Sequence, residues 1–467
     1  MHAAHSSVIF GLDPLWLATV VMIVTYGVII SERLNRSIIA LLGAMLMIMF
    51  GLLTQEQAVA GIDFNTIGLL VGMMIIVSIT RKCGVFEYLA IWSAKLVKAS
   101  PAGILAMLAV VTAVVSAFLD NVTTVLLVVP VTLVITEALK VNPYPFLFSQ
   151  IIASNIGGTA TLIGDPPNIM IGGQVGLTFN DFVYHLTPVI VVVLIVHVLS
   201  IHLIWGRSMQ SPAELRARVM AFDEKQAITD PRLLKLASAV LALVIIAFVL
   251  ARPLGLDSGT IGMAGAALLL MLDNIGKSAE RQSESVLKVY NEIEWITIFF
   301  FVGLFIVIAG VEHAGLLKLL ADKLLAATGG DFTVTGMSVL WSSAVLSAIV
   351  DNIPFVATMI PLIKAMAPAF GGPDGLMPLW WCLSLGACLG GNGTLIGASA
   401  NLTVAGIAER NGIPFRFMTY TKIAFPLMLI HVAISHVYLM WRFFLSLIHI
   451  SEPTRRTPIS YAVFCLK

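Results

Sequence analysis

The sequence predicts an all-α polytopic membrane protein made of two inverted repeats, and three observations carry that reading. Of 467 residues, 58% are hydrophobic and only 11% are charged, less than half of the roughly 25% charge of a soluble domain. Apolar runs close to the roughly 20 residues needed to cross about 30 Å of hydrocarbon recur along the whole chain. One half of the sequence also repeats the other. A formal net charge of +1 offers a polyanion no bulk attraction, so nucleic acid is not an expected partner. The scattered cysteines Cys83, Cys382, Cys388 and Cys465 have no disulfide or zinc spacing.

Uninterrupted apolar runs lie at about 14–31, 37–53, 64–80, 183–205, 233–251, 258–272, 294–311 and 418–441. Two longer stretches, 147–178 and 379–406, are broken by Gly, Pro and Asn. Two apolar pairs, within 101–138 and 333–366, are each split by a central Asp-Asn and are expected to be re-entrant hairpins. No signal peptide is expected at the start. From about Leu445 the text changes to LSLIHISEPTRRTPISYAVFCLK, which resembles the translation of a sequencing adapter. Residues 445–467 are therefore expected to be a non-native read-through tail, outside the fold.

The repeat appears when the chain is compared with itself. DFNTIGLLVGMMIIVSITRKCGVFEYLA from Asp63 lies over EWITIFFFVGLFIVIAGVEHAGLLKLLA from Glu294, and SAFLDNVTTVLLVVP over SAIVDNIPFVATMIP. Two residues later in register, GGTATLIGDPPN meets GGNGTLIGASAN. Asp120 falls on Asp351, Pro130 on Pro361, and Asn168 on Asn401. Apolar helices resemble one another by chance, but chance does not hold Asp, Asn and Pro in register.

Five crossings per half put Arg33, Arg36, Arg81, Lys82, Lys95, Lys140 and the basic residues of the 206–232 linker on one side. Arg252, Lys318, Lys323, Lys364 and Arg442 fall opposite. The richer side is the cytoplasmic one, and an odd number of crossings inverts the second half. The expected domains are an N-terminal repeat at 1–205, a cytoplasmic linker at 206–232 and a C-terminal repeat at 233–444. Val85–Ala99 and Leu316–Ala327, with lysines on an apolar background, are expected to lie in the membrane interface.

Charge inside apolar segments marks ion or proton paths, and Asp120, Asp165 and Asp351 qualify. Each hairpin turn leaves free carbonyls on one arm and free N–H groups on the other, which Asp120, Asn121, Thr123, Asp351 and Asn352 can satisfy or supplement to bind a cation. Asn155, Gly157, Thr161, Asp165 and Asn168 form the first helix break, and Gly390, Asn392, Thr394 and Asn401 the second. Non-helical backbone at membrane depth is tolerated where it is buried in protein or lines a cavity. Na⁺ sites are expected at Asp120, Asn121 and Gly157 and at Asp351, Asn352 and Gly390. Cys388 is a weaker candidate for a soft solute. No Ser/His/Asp arrangement or HExxH motif argues for an enzyme, and no cofactor is expected beyond a coupling H⁺ or Na⁺.

SAFLDNVTTVLLVVPVT followed by SNIGGTATLIGDPPNIMIG resembles the ion transporter superfamily, nearest the ArsB/NhaD-type permeases and the melanosomal P protein, with citrate and dicarboxylate carriers more distant. The resemblance covers about residues 15–444. It implies a homodimer in the cell inner (plasma) membrane, each protomer having a scaffold and a mobile transport part that moves like an elevator. Its tips carry Asp where dicarboxylate carriers carry a Ser-Asn-Thr-like turn, and Pro354 replaces Thr at the second. Added carboxylates repel a dicarboxylate. The expected function is therefore H⁺- or Na⁺-coupled exchange of a small inorganic ion or solute, of the arsenite-efflux or Na⁺/H⁺-antiport type. Na⁺-coupled citrate or dicarboxylate uptake and an anion channel are the alternatives.

Overall fold

In lipid a backbone must satisfy its own hydrogen bonds, which favours helices wherever apolar runs are long. The computed structural model describes residues 8, 11–31 and 33–445, and every regular segment among them is helical. Among the described residues, seven helices are long and apolar enough to span a membrane: Phe64–Arg81, Asn121–Leu139, Thr187–Ile204, Pro231–Val249, Trp295–His313, Phe332–Ile349 and Phe417–Phe444. Pro14–Ile30, Arg36–Met49, Pro101–Ser116 and Asn352–Ala365 are shorter apolar helices. Side chains of Asp13, Asn35, Asp63, Asp230 and Asp331 accept hydrogen bonds from the first turns that they precede, which fixes where those helices begin. Apart from Leu445, the expected tail lies outside the described residues.

The order of helices from Phe64 to Ile204 recurs from Trp295 to Leu439. In both stretches a long helix is followed by a short one, Val85–Leu96 or Leu316–Ala327, then by two arms meeting at Asp120 or Asp351. An interrupted helix comes next, Tyr144–Thr159 with Pro166–Val175, or Met377–Gly390 with Ser399–Arg410. A final long helix closes each stretch. Pro130 and Pro361 sit inside the second arms.

The leading helix of each stretch packs against a helix that precedes the other stretch. Phe64–Arg81 lies against Ser258–Asn274, and Trp295–His313 against Arg36–Met49. Gly72 faces the Gly262 backbone, and Gly303 the Ala40 backbone, each so closely that a Cβ would collide with main chain. Leu243, Ile246, Ile195, Leu199, Leu42 and Met45 point outward, as lipid-facing side chains do. On the linker side, Thr229 donates to the carbonyls of Cys83 (3.2 Å) and Lys82 (2.6 Å). Lys95 there pairs with Glu224 at 2.5 Å. Ala279–Asn291 is a one-sided polar helix.

Candidate functional site

At the first tip, Asp120 accepts from the Thr123 N–H (2.9 Å) and the Thr123 hydroxyl (2.5 Å). The aspartate thus caps the second arm with both oxygens, and Thr123 spends its hydroxyl on that cap. At the second tip, one Asp351 oxygen caps Ile353 N–H at 3.0 Å. The other takes Arg36 Nη1 at 3.1 Å and the Ser399 hydroxyl at 3.0 Å. Side chains of Arg36 and Asp351 are 26% and 16% exposed, so water screens the pair only in part.

Behind each tip the broken helix is stitched to its hairpin in the same way. Thr161 donates to the Ala117 carbonyl and Thr394 to the Ala348 carbonyl, both at 2.5 Å. Asn168 Nδ2 donates to the Thr159 and Thr161 carbonyls, and Asn401 Nδ2 to those of Gly391 and Thr394. Four of the expected ion-binding residues therefore hold loop backbone in shape. They fix the site rather than supply free donors.

The glycines also differ from expectation. Gly157 and Gly390 lie within the helices, and the unwound stretches begin after them. The Gly157 carbonyl accepts the Ala160 N–H as an ordinary helix end, where the sequence predicts unwound backbone. Its actual constraint is steric. A Cβ at Gly157 would run into the Ala113 backbone, and one at Gly390 into the Ala344 backbone.

Asp165 and the amides meet at the centre, all of them buried. Asn121 Nδ2 donates to Asn155 Oδ1 (2.9 Å) and Asp165 Oδ1 (3.3 Å), and Asn352 Nδ2 reaches the same Asp165 oxygen at 3.5 Å. Asn155 Nδ2 bridges to Asn392 Oδ1 (2.9 Å) and Asn401 Oδ1 (3.0 Å). One carboxylate thus touches an asparagine from each tip. Among the described residues, Asp165 Oδ2 and Asn392 Nδ2 have no hydrogen-bond partner, and a buried unpartnered carboxylate oxygen is costly. On the repeat, Asp165 aligns with Ala398 and Asn155 with Cys388. Cys388 lies 3.6 Å from Asn168 Oδ1, which also accepts from Ser384 at 2.6 Å.

A cavity of about 20 Å³ borders this network, lined among others by Asp120, Asp165, Glu294, Asn352 and Arg36. That volume suits one water-sized occupant. Beside it a larger cavity of about 280 Å³ is lined by Asp351, Arg36, Ser399 and Thr403. Among the described residues, no three His, Cys, Asp or Glu side chains converge as a metal-binding group.

Three site residues escaped the sequence reading. Arg36 was placed in a cytoplasmic loop, yet it is the first residue of an apolar helix capped by Asn35. Its Nη1 reaches Ser399 Oγ at 2.6 Å, its Nη2 reaches Thr297 Oγ1 at 3.2 Å, and its Cζ lies 5.1 Å from the Phe300 ring centroid. A guanidinium therefore stands beside the second tip and the second helix break. Spacing along the chain places Arg36 among loop cations; only folding brings it 315 residues away to Asp351. Glu294, which accepts from Thr297 at 3.1 Å, was legible as the partner of Asp63 in the repeat. Ser399 stands where the first repeat has Pro166.

An all-helical bundle with helices long and apolar enough to cross a membrane, around a buried polar centre, is the architecture of a polytopic membrane protein, and the proteins it resembles are transporters rather than enzymes. The family model described as citrate transporter (CitMHS) matches residues 26–386, and the chain belongs to that family. It is 42% identical over 435 residues to an uncharacterized transporter of Mycobacterium tuberculosis (strain ATCC 25618 / H37Rv), covering 92% of this chain and 99% of that one. The 46 kDa membrane protein of Mycobacterium leprae (strain TN) is 39% identical over 431 residues, covering 91% and 98%. The P protein of Homo sapiens is 33% identical over 507 residues, covering 91% of this chain and 59% of the P protein. The crystal structure of the Alcanivorax borkumensis YdaH transporter matches with a TM-score of 0.59 at 13% identity, covering 93% of this chain and 99% of that one; this likeness concerns the fold. Citrate carriers, expected to be more distant, thus supply the family, and the resemblance to the P protein holds.

Proposed function

We propose that the protein is a secondary active transporter that couples movement of a small solute to H⁺ or Na⁺, with the coupling cation at Asp165. The observation that carries this reading is the unpartnered Asp165 Oδ2, buried beside a cavity of about 20 Å³. A carboxylate in that position gains from a proton or a small cation. Because Asn121 and Asn352 both donate to Asp165, occupancy there bears on both tips at once. Two inverted repeats with re-entrant hairpins, moving as an elevator against a scaffold in a plasma-membrane homodimer, form the architecture of this proposal. The cytoplasmic linker at 206–232 joins the repeats.

On cargo, a cluster of carboxylates favours exchange of a small inorganic ion or solute, as in arsenite efflux or Na⁺/H⁺ antiport of the ArsB/NhaD type. Citrate or dicarboxylate uptake is the second reading. The family match and the Arg36 guanidinium beside Ser399 favour it.

Proteoliposomes with an imposed pH gradient test the proposal. Na⁺, arsenite and labelled citrate are offered in turn, with the wild type and Asp165→Asn compared. Coupled flux of one of them, abolished by the substitution, is the expected result. No coupled flux, or flux indifferent to Asp165→Asn, overturns the reading. Conductance without any counter-ion requirement would mark an anion channel instead.

A further inference from the structure

Arg36 is the basic residue that lines both site cavities, the one of about 20 Å³ and the one of about 280 Å³. Its guanidinium is held from three directions: Asp351 on the second tip, Ser399 on the second broken helix, and Thr297 on Trp295–His313. Phe300 lies under it at 5.1 Å. A planar fork of this kind suits a carboxylate presenting two oxygens. Asp351 presents only one, because its other oxygen caps Ile353. The ion pair is thus monodentate and faces a cavity wide enough for a small organic anion.

We propose that Arg36 is the oxyanion-binding residue of the site and that Asp351 is its tethered competitor, occupying the guanidinium until a solute carboxylate displaces it. The proposal deepens the second reading of the cargo. The ligand class is a small carboxylate or comparable oxyanion. Its two oxygens take Arg36, with hydroxyls of Ser399 and Thr403 at the cavity wall. Released from Arg36, the Asp351 oxygen becomes available to a proton or Na⁺, so anion loading creates a cation site on the same tip. Asp120, Asp165 and Glu294 are the other charged groups around the adjoining small cavity. Each is a carboxylate, so each favours cation uptake as Asp351 comes free.

The experiment measures binding of citrate, and separately of sulfate, to purified full-length protein in detergent by calorimetry at fixed pH and Na⁺. Asp351→Asn removes the competitor, and affinity for both anions is expected to rise at least tenfold. Arg36→Gln is expected to abolish binding, and Arg36→Lys to restore part of it for sulfate. If Asp351→Asn does not fold, the charge-neutral pair Arg36→Gln with Asp351→Asn is measured instead, and it is expected to bind neither anion. Unchanged or weaker binding in Asp351→Asn, retained binding in either Arg36→Gln protein, or no oxyanion binding by the wild type overturns the proposal. Coupled flux in proteoliposomes is scored on the wild type separately. Its presence without oxyanion binding sinks the Arg36 proposal alone, whereas its absence sinks the transport reading.

Discussion

The two hairpin tips carry the same Asp-Asn, yet their aspartates do different things. Asp120 turns inward on its own arm and is satisfied by Thr123. Asp351 reaches out to Arg36 and Ser399 on two other helices. The helices packed across from the two halves differ as well. Gly72 meets Gly262 and Gly303 meets Ala40, and four residues before those contacts stand Ser258 and Arg36 respectively. Equivalent places at the start of two helices hold a hydroxyl in one case and a guanidinium in the other. A repeat can therefore keep its geometry in register while its charge does not repeat.

The strongest way to break the comparison is to attack what the halves share. Gly157→Val and Gly390→Val each place side-chain carbon against hairpin backbone that has nowhere to move. Each is expected to cost more than about 3 kcal/mol, read as loss of the monodisperse peak in fluorescence-detected size exclusion. If one is tolerated, the two hairpins are not equivalently packed.

Asp165→Asn comes next. The volume is kept and the charge removed, and coupled flux is expected to fall roughly 100-fold, equivalent to about 3 kcal/mol. Ala398→Asp would place a carboxylate at the matching position of the second half, and it is expected not to rescue the loss.

The tips themselves should separate in thermal melts. Asp351→Asn strips a partly buried guanidinium of its counter-charge and is expected to destabilise by about 1–3 kcal/mol. Asp120→Asn keeps a good cap, since Asn and Asp cap about equally, and is expected to stay within about 0.5 kcal/mol. Equal shifts would mean that the Arg36 pair contributes nothing to stability.

The smallest effect belongs to the linker. The hydrogen bond from Lys95 holds the Glu224 carboxyl below its usual range. A depressed folded-state value means that this contribution is complete above the unfolded carboxylate value of about 4.3 and fades as pH falls through the lower folded one. Glu224→Gln is expected to change the melting temperature slightly at pH 7 and not at all in strong acid. A shift that grows on acidification would reverse the sign of the pair.

Much of this was readable in the residues. The position of the tips followed from Asp-Asn between apolar arms, and the helix breaks from Gly and Pro. Pairing of Asn168 with Asn401 put the two amides at matching places in the helix breaks, but did not reveal their bonds to loop carbonyls. Arg36 was not readable, because hydropathy and loop charge describe a residue by its neighbours along the chain, whereas its meaning comes from Asp351. Gly157 was misjudged for a related reason. Glycine signals both unwinding and close packing, and only the Ala113 backbone opposite distinguishes them.

The Arg36–Asp351 pair also has an electrical consequence. If the tip moves against the Arg36 helix as proposed, the guanidinium and the carboxylate cancel only while they touch. Once apart, the tip carries one negative charge through the membrane field, at about 2.3 kcal/mol per 100 mV for a full crossing. A bound monovalent cation removes that term. The resting potential would then favour one direction of travel for the empty tip and leave the loaded tip indifferent, so the membrane voltage would set the pace of the return step.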